Sequence, residues 1–157
     1  MNNAIMNAKD SVYGSLAECY ITLGDERYNF MTLTEFESKW EVKITEVPIL
    51  GKVGMGHKAA GGKGTWKGTA HYNQSIFRKI ADTYQKTGVM PYFEIQVTNE
   101  DPTSAVGRQT IIHHDCLCDV FTLAKFKAGE ELLQEDLSGT FESWDMPETF
   151  TVPEGMV

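Results

Sequence analysis

Residues Val47–Gly88 read VPILGKVGMGHKAAGGKGTWKGTAHYNQSIFRKIADTYQKTG, and this stretch decides how the chain is organised. It predicts a long glycine-rich loop, then a short strand, then a helix. Seven lysines and arginines stand here against one acid, Asp82, which gives a charge of about +6. The whole chain of 157 residues has a net charge of −8, so the remainder carries about −14. A basic segment in an acidic body is either a solvated surface or one half of a self-complementary contact, and we favour the contact.

The glycine-rich part, residues 48–64, is predicted to be a loop. Pro48 ends the preceding strand, and the glycines that follow are Gly51, Gly54, Gly56, Gly61, Gly62 and Gly64. Irregular loops longer than about 12–15 residues are uncommon in compact domains and are usually either functional or disordered. At about 3.3 Å per residue this one spans up to about 50 Å, or about 25 Å as a hairpin. That length is enough to reach a neighbouring subunit.

An amphipathic helix is predicted after the loop. Asn73 is a suitable N-cap, and Gly88 provides a left-handed C-terminal stop. An apolar stripe at helical spacing lies between them, formed by Ile76, Phe77, Ile80, Ala81 and Tyr84. Such a stripe is typical of a helix that lies on a sheet.

Strands are predicted on both sides of the loop and helix. Residues Thr34–Glu46 alternate, with Phe36, Trp40, Val42 and Ile44 on one face and mainly charged residues on the other. This period of two indicates a strand that is packed on one side and solvated on the other. Further strand-like segments cover residues 11–23, 27–33, 65–72, 89–99, 107–127 and 130–144.

About seven strands and one helix, without βαβ alternation, predict an antiparallel fold. We expect a mainly β protein, either a β-barrel or two packed antiparallel sheets, with one flanking α-helix. The chain is interpreted as a single domain over residues 1–157. It includes an N-terminal arm at 1–10 and an extended C-terminal arm at 145–157.

The acidity of the chain argues against a nucleic-acid-binding protein. A net charge of −8 and a pI near 4.9 lack the clustered cations that displace counterions from phosphate. The helix cations Arg78, Lys79 and Lys86 are expected to be solvated or to face another subunit.

The remaining composition indicates a folded protein from a reducing compartment. Apolar residues make up 41% of the chain, as in globular proteins. The three cysteines, Cys19, Cys116 and Cys118, are odd in number and lack disulfide-framework spacing. The segment MNNAIMNAKD has no signal-peptide pattern, and no apolar run approaches the roughly 18 residues of a membrane helix. No membrane anchor is expected.

His113-His114-x-Cys116-x-Cys118 is the sharpest candidate metal motif, because imidazole and thiolate both suit zinc. On a regular strand His114, Cys116 and Cys118 share one face, and His113 points to the other. The Cys-x-Cys spacing also differs from the Cys-x2-Cys of structural zinc sites. We therefore expect buried thiols that pack as small apolar side chains, and no metal.

Catalytic and nucleotide-binding patterns are incomplete. Ala59 replaces the third glycine of G-x-G-x-x-G after Gly54-x-Gly56, and Gly64 separates Lys63 from Thr65 in what would be a phosphate loop. The acids of the Thr34–Glu46 strand have no nucleophile or histidine placed beside them by spacing. No catalytic residue and no cofactor are predicted.

Residues Glu46–Ile80 closely resemble the tail tube (core tail) proteins of PBSX-type prophages, the XkdM-like family. The resemblance continues through PYFEIQVTNEDPTSAVGRQTI (Pro91–Ile111), LAKF (Leu123–Phe126) and MPETF (Met146–Phe150). It covers most of the chain after about Gly14. No role is carried over for residues 112–120, which contain HHDCLC.

The resemblance implies a structural subunit of the inner tube of a contractile phage tail or tail-like particle. Members of the wider group, similar to the Hcp tube protein of type VI secretion, form a β-barrel with a flanking helix. Six copies make a ring, and rings stack into a tube. The implied partners are further copies of the chain, the tail sheath protein, a baseplate or tube initiator and the tape measure protein, with DNA only as a passing cargo. The implied location is the virion tail tube, assembled in the bacterial host cytoplasm.

The loop is the part best suited to contact the next subunit or ring. A head-to-tail interface needs two unlike surfaces, which the basic stretch and the acidic remainder would provide. Apolar loop residues are expected to be buried in the neighbour. The predicted interface residues are Ile49, Leu50, Lys52, Val53, Met55, His57, Lys58 and Lys63.

A channel for DNA should not attract phosphate, because each cationic contact adds binding. The predicted lumen-lining residues lie on one of two polar strand faces, either Glu35, Glu37 and Glu41, or Glu94 and Gln96. Alternatively these faces are external and meet the sheath. A small-ligand-binding β-barrel is the alternative function, supported by the many strands and aromatic residues, but it leaves the glycine-rich loop unexplained.

Overall fold

The computed structural model describes residues 5–153 and 155–156, so the first four residues of the predicted N-terminal arm lie outside the described part. A short 3-10 turn, Ala8–Asp10, precedes the sheet. One α-helix and eight strands are present in the described residues: β1 Ala17–Leu23, β2 Glu26–Asn29, β3 Leu33–Val47, β4 Gly56–His71, α1 Ile76–Thr87, β5 Phe93–Glu100, β6 Arg108–Val120, β7 Gln134–Phe141 and β8 Ser143–Glu148. None of the described helices has the length and apolar character needed to cross a bilayer.

The strands form two antiparallel sheets that share β6. The first sheet has the order β2-β1-β5-β6, with β8 on the other edge of β6. The second sheet continues from the end of β6 through β7 and β4 to β3. Strand β6 passes from one sheet to the other near Asp115, whose φ of 54° is in the left-handed region. The prediction of a mainly β, antiparallel fold with one flanking helix is confirmed.

The core lies between the two sheets and consists of aromatic rings in contact. The Trp66 ring of β4 lies 6.2 Å from that of Phe93 in β5, between centroids. The Phe77 ring of the helix lies 5.7 Å from the same Phe93 ring. Spacings of about 4.5–7 Å are those of stabilising aromatic pairs. The aromatic interior is filled by its own side chains, which does not favour the ligand-binding alternative.

Helix α1 is held on the sheets by apolar burial and by one inward-facing ion pair. Phe77 and Ile80 are its buried residues, and Gly88 ends it with a φ of 75°. The Arg78 guanidinium lies 2.6 Å from the Glu135 carboxylate of β7, whose side chain is only 2% exposed. Arg78 is therefore a docking residue of the helix. It is not one of the solvated cations expected from the sequence, whereas Lys86 pairs with Asp82 on the exposed side.

Several predicted boundaries are wrong. Ser75 occupies the N-cap position instead of Asn73, and its side chain makes no capping hydrogen bond. The loop predicted over 48–64 covers only 48–55, because Gly56–His71 is one continuous strand paired with β3. The C-terminal arm predicted from 145 begins with a strand, since Ser143–Glu148 pairs with β6.

Close packing explains why glycines occupy β4. A β-carbon on Gly62 would collide with the Trp40 indole of the neighbouring strand, and one on Gly64 would lie 2.7 Å from the Phe141 ring. Glycine at these positions lets two large rings lie against the strand backbone. Glycine is otherwise depleted in strands, which is why the sequence pattern predicted a loop here.

We expect Arg78→Gln to lower the free energy of unfolding by about 3 kcal/mol, because it leaves the Glu135 carboxylate buried beside a neutral group. Lys86→Gln is the matched control on the same helix. It breaks an exposed i,i+4 pair and should cost less than about 0.5 kcal/mol. Urea unfolding of the two variants measures both values. Equal losses would show that the Arg78–Glu135 pair does not anchor the helix.

Candidate assembly interface

Strands β3 and β4 extend well beyond the core and form a projection, the hairpin arm, which comprises residues 40–64. The register pairs Trp40 with Gly64 at its base and Val47 with Gly56 next to the loop. The loop turns through Gly51, with a φ of 80°, and the Lys52 N–H donates to the Ile49 carbonyl at 3.2 Å. Beyond the base every residue of β3 is exposed.

One face of the arm is apolar and exposed. Trp40 packs at the base against Trp144 of β8, with ring centroids 4.9 Å apart, yet it remains 40% exposed. Val42 and Ile44 follow on the same face and are 45% and 58% exposed. The predicted alternation of β3 is confirmed, but the expectation that this whole face is packed is wrong. The core ends at Trp40, and the strand continues past it.

The loop at the tip of the arm presents further apolar side chains to solvent. Leu50 and Val53 are fully exposed, and Ile49 and Met55 are about half exposed. Exposed apolar patches of this kind mark interaction surfaces. The structure therefore brings the predicted interface residues together on one projection: Ile49, Leu50, Lys52, Val53, Met55, His57, Lys58 and Lys63 all lie on the arm.

The opposite face of the arm and the outer face of the second sheet are charged and balanced. Glu35, Glu37 and Glu41 lie here among lysines of the same two strands. Glu37 accepts from Lys39 at 3.0 Å and lies 3.8 Å from Lys67. The hydrogen bond and charge of Lys39, with the charge of Lys67, lower the pKa of Glu37. The charge of Glu37 is thus compensated locally by two lysines.

The other two lumen candidates, Glu94 and Gln96, lie on the outer face of the first sheet. This face holds five acids against two arginines and one histidine; these residues are Glu18, Glu94, Glu100, Asp145, Glu148, Arg27, Arg108 and His114. Arg108 is occupied by a bidentate pair with Glu148, with both distances 2.6 Å. The structure therefore separates the lumen candidates into a balanced face and an acidic face.

The His-His-x-Cys-x-Cys motif does not form the arrangement expected from a regular strand. His113, Cys116 and Cys118 are buried, and His114 faces outward. The positive φ at Asp115 and a register shift against β5 reverse the alternation. Burial raises the pKa of Cys116 and Cys118 to about 12, so the thiols stay protonated. Within the described residues no group of three or more His, Cys, Asp or Glu side chains could hold a metal ion.

His113 links the two sheets across the core. Its Nδ1 donates to the Ile95 carbonyl at 2.9 Å. Because a carbonyl only accepts, Nε2 of the neutral ring accepts from the Ser38 hydroxyl of β3, at 2.8 Å. Burial lowers the pKa of His113, which keeps the ring neutral. Sequence patterns did not indicate this role of His113, because its partners are far apart along the chain.

His114 lies between two carboxylates on the outer face of the first sheet, 2.6 Å from Asp145 and 3.0 Å from Glu94. These hydrogen bonds raise its pKa. A raised folded-state pKa gives stability that is fully present below the unfolded value of about 6.5 and is lost as the pH rises through the folded value.

We therefore expect the stability difference between the wild type and His114→Asn to be larger at about pH 5.5 than at about pH 8.5. Urea unfolding of both proteins at both pH values measures it. Both proteins contain His113, whose effect on stability changes with pH in the opposite direction to that of His114. This effect therefore cancels in the stability difference. In a Glu94→Gln, Asp145→Asn background the pH effect of His114→Asn should vanish. A difference independent of pH in the native background would contradict the assignment.

The fold is shared with chains of several particles solved by cryo-EM. It superposes on a chain of the anti-feeding prophage tube terminating cap with a TM-score of 0.63, at 10% identity, over 94% of this chain and 93% of that one. A chain of the sheath-tube complex of the PVC extracellular contractile injection system, in the extended state, gives 0.62 at 10% identity, over 82% and 86%. At these identities the likeness concerns the fold alone.

Sequence comparison identifies the family. The model of the family described as "Phage tail tube protein" matches residues 4–148, and the chain belongs to this family. The "Phage-like element PBSX protein XkdM" of Bacillus subtilis (strain 168) is 30% identical over 143 residues, which cover 91% of this chain and 95% of the relative. The "Uncharacterized protein YqbM" of the same organism is 31% identical over equal coverage. The resemblance to the XkdM-like family is confirmed, and the protein is a structural tail component and not an enzyme.

Proposed function

We propose that this protein is the inner tube subunit of a contractile phage tail or tail-like particle, with copies arranged in hexameric rings that stack around a channel for DNA. The observation that carries the proposal is the hairpin arm. A tail tube family member that exposes Val42, Ile44, Leu50 and Val53 on one projection has an apolar surface suited to contact with another chain. In the particle these side chains are buried in a neighbouring subunit.

The arm also carries the charge expected of a head-to-tail contact. Four lysines (Lys43, Lys52, Lys58 and Lys63) stand against two glutamates (Glu41 and Glu46) within residues 40–64. The rest of the chain is acidic, so the arm of one copy meets a surface of opposite sign on the next. Such heterologous contacts close into rings when the rotation permits and otherwise extend as filaments.

The acidic face of the first sheet suits the channel better than the balanced face of the second. Glu94 and Gln96 lie among five acids and two arginines, and Arg108 is already paired. Such a face repels phosphate, whereas the five lysines near Glu35, Glu37 and Glu41 offer contacts to it. The second sheet then faces neighbouring subunits or the sheath.

Further partners follow from the family. The tail sheath protein would surround the tube, a baseplate or tube initiator would template it, and the tape measure protein would occupy the channel during assembly in the host cytoplasm. The solved particles that share the fold include baseplate and sheath-tube complexes, which supports partners of these kinds.

The double substitution Leu50→Ser with Val53→Ser should leave the monomer folded, because both side chains are fully exposed. It should raise the protein concentration needed for ring or tube formation about 100-fold, at about 1.5 kcal/mol per lost apolar contact. The matched control, Val89→Ser with Val152→Ser, removes two exposed valines away from the arm. Negative-stain microscopy and sedimentation of concentrated protein measure assembly. Unimpaired assembly of the arm variant would refute the interface.

Cysteine labelling tests the channel face. In assembled tubes, Gln96→Cys should react with a small maleimide but not with a maleimide coupled to a polymer too large to enter the channel. Glu18→Cys, on the same face, should behave likewise. Disassembled subunits of both variants should react with both reagents. Labelling of Gln96→Cys by the large reagent in intact tubes would place the first sheet on the outside.

A further inference from the structure

A second exposed apolar patch lies in the segment that connects β6 to β7, residues 121–133, here termed the connecting segment. Leu123, Phe126 and Leu132 are large and exposed, and Phe126 is 93% exposed. The segment has no regular secondary structure apart from turns. The subunit contacts proposed for the hairpin arm do not involve these three side chains.

The connecting segment is anchored at both ends. The Tyr72 hydroxyl donates to the Leu123 carbonyl at 3.2 Å, and Arg78 donates to the Thr122 carbonyl at 3.2 Å. At the other end the Tyr72 N–H donates to the Leu133 carbonyl at 3.0 Å. Phe126 therefore projects from a segment that is fixed to the body of the protein. A segment whose ends are held in place loses less entropy on forming a contact than a free one.

The connecting segment and the arm tip lie at opposite ends of the same strand. The arm loop is joined to Gly56 at the start of β4, whereas His71, at the end of β4, pairs with Gln134 next to the connecting segment. Strand β4 has 16 residues, which separate the two patches by up to about 50 Å at about 3.3 Å per residue. One copy cannot join its own two patches.

The two ends also differ in charge. The arm has four lysines against two glutamates, as described above. Within the connecting segment Glu130 and Glu131 stand against Lys125 and Lys127, so the segment itself has no net charge, and two exposed acids, Asp119 of β6 and Asp136 of β7, flank it. The arm has a charge of +2, and the two acids that flank the neutral connecting segment have the opposite sign, which favours contact between unlike ends.

From this placement we propose that the connecting segment is the receiving surface for the arm tip of another copy of this chain, with Phe126 packed against Leu50 and Val53. The inference rests on the proposed tube function and specifies its axial contact. Because the two patches are unlike and lie at opposite ends of the chain, the contact repeats head to tail and extends the assembly along one direction.

Mixed cysteine cross-linking tests the contact. Full-length Val53→Cys and Phe126→Cys proteins are mixed in equal amounts at a concentration where microscopy shows assemblies, and are then oxidised. The native thiols form a low background, because burial raises the pKa of Cys19, Cys116 and Cys118 to about 12. The control replaces Phe126→Cys with Val152→Cys. Val152 follows Thr151, which bonds to Val106 near the start of β6, far from the connecting segment.

A disulfide-linked dimer in the Val53–Phe126 mixture, at least about tenfold above the Val53–Val152 mixture, is the expected result. Phe126→Ser should also raise the concentration needed for assembly about tenfold, as the loss of one buried apolar contact. Assemblies without the Val53–Phe126 link would overturn this inference and leave the tube function intact. Protein that stays monomeric and forms no link at any concentration would overturn both.

Discussion

The register of β3 against β4 is the constraint on which the rest of the structure depends. These strands have 15 and 16 residues, whereas strands of globular proteins commonly have about five or six. The core covers the ladder only as far as the Trp40–Gly64 pair. Beyond that pair the hydrogen-bonded ladder continues without a second layer, so its apolar face is available to another chain.

Glycine residues allow aromatic rings to pack directly over the backbone at the base of this ladder. Trp40 lies over Gly62, and Phe141 lies over Gly64. Trp144 of β8 then packs on Trp40, which connects the arm to the last strand of the first sheet. The arm is therefore braced at its base by both sheets and exposed at its tip. This combination suits a rigid projection that contacts a neighbour.

Sequence patterns predicted the features that depend on local periodicity. The alternation of Thr34–Glu46 and the stripe from Ile76 to Tyr84 identified β3 and α1, and about seven strands without βαβ alternation indicated the antiparallel class. The patterns failed where contacts distant in sequence decide the outcome. The bulge at Asp115 turns His113 inward, where it bonds to Ser38, 75 residues away along the chain. Arg78 pairs with Glu135, which is 57 residues away. Rules based on residue spacing along the sequence do not predict such pairs.

Exposed apolar surface favours association between free copies, whereas the negative net charge of the monomer opposes it. A net charge of −8 keeps free copies apart, and the lysines in the strands of the arm lie on the face opposite Trp40, Val42 and Ile44. In the proposed ring each chain would contact two neighbours, and stacking would add further contacts, so ordering one chain would bring several contacts into register at once. Assembly of this kind would depend steeply on concentration.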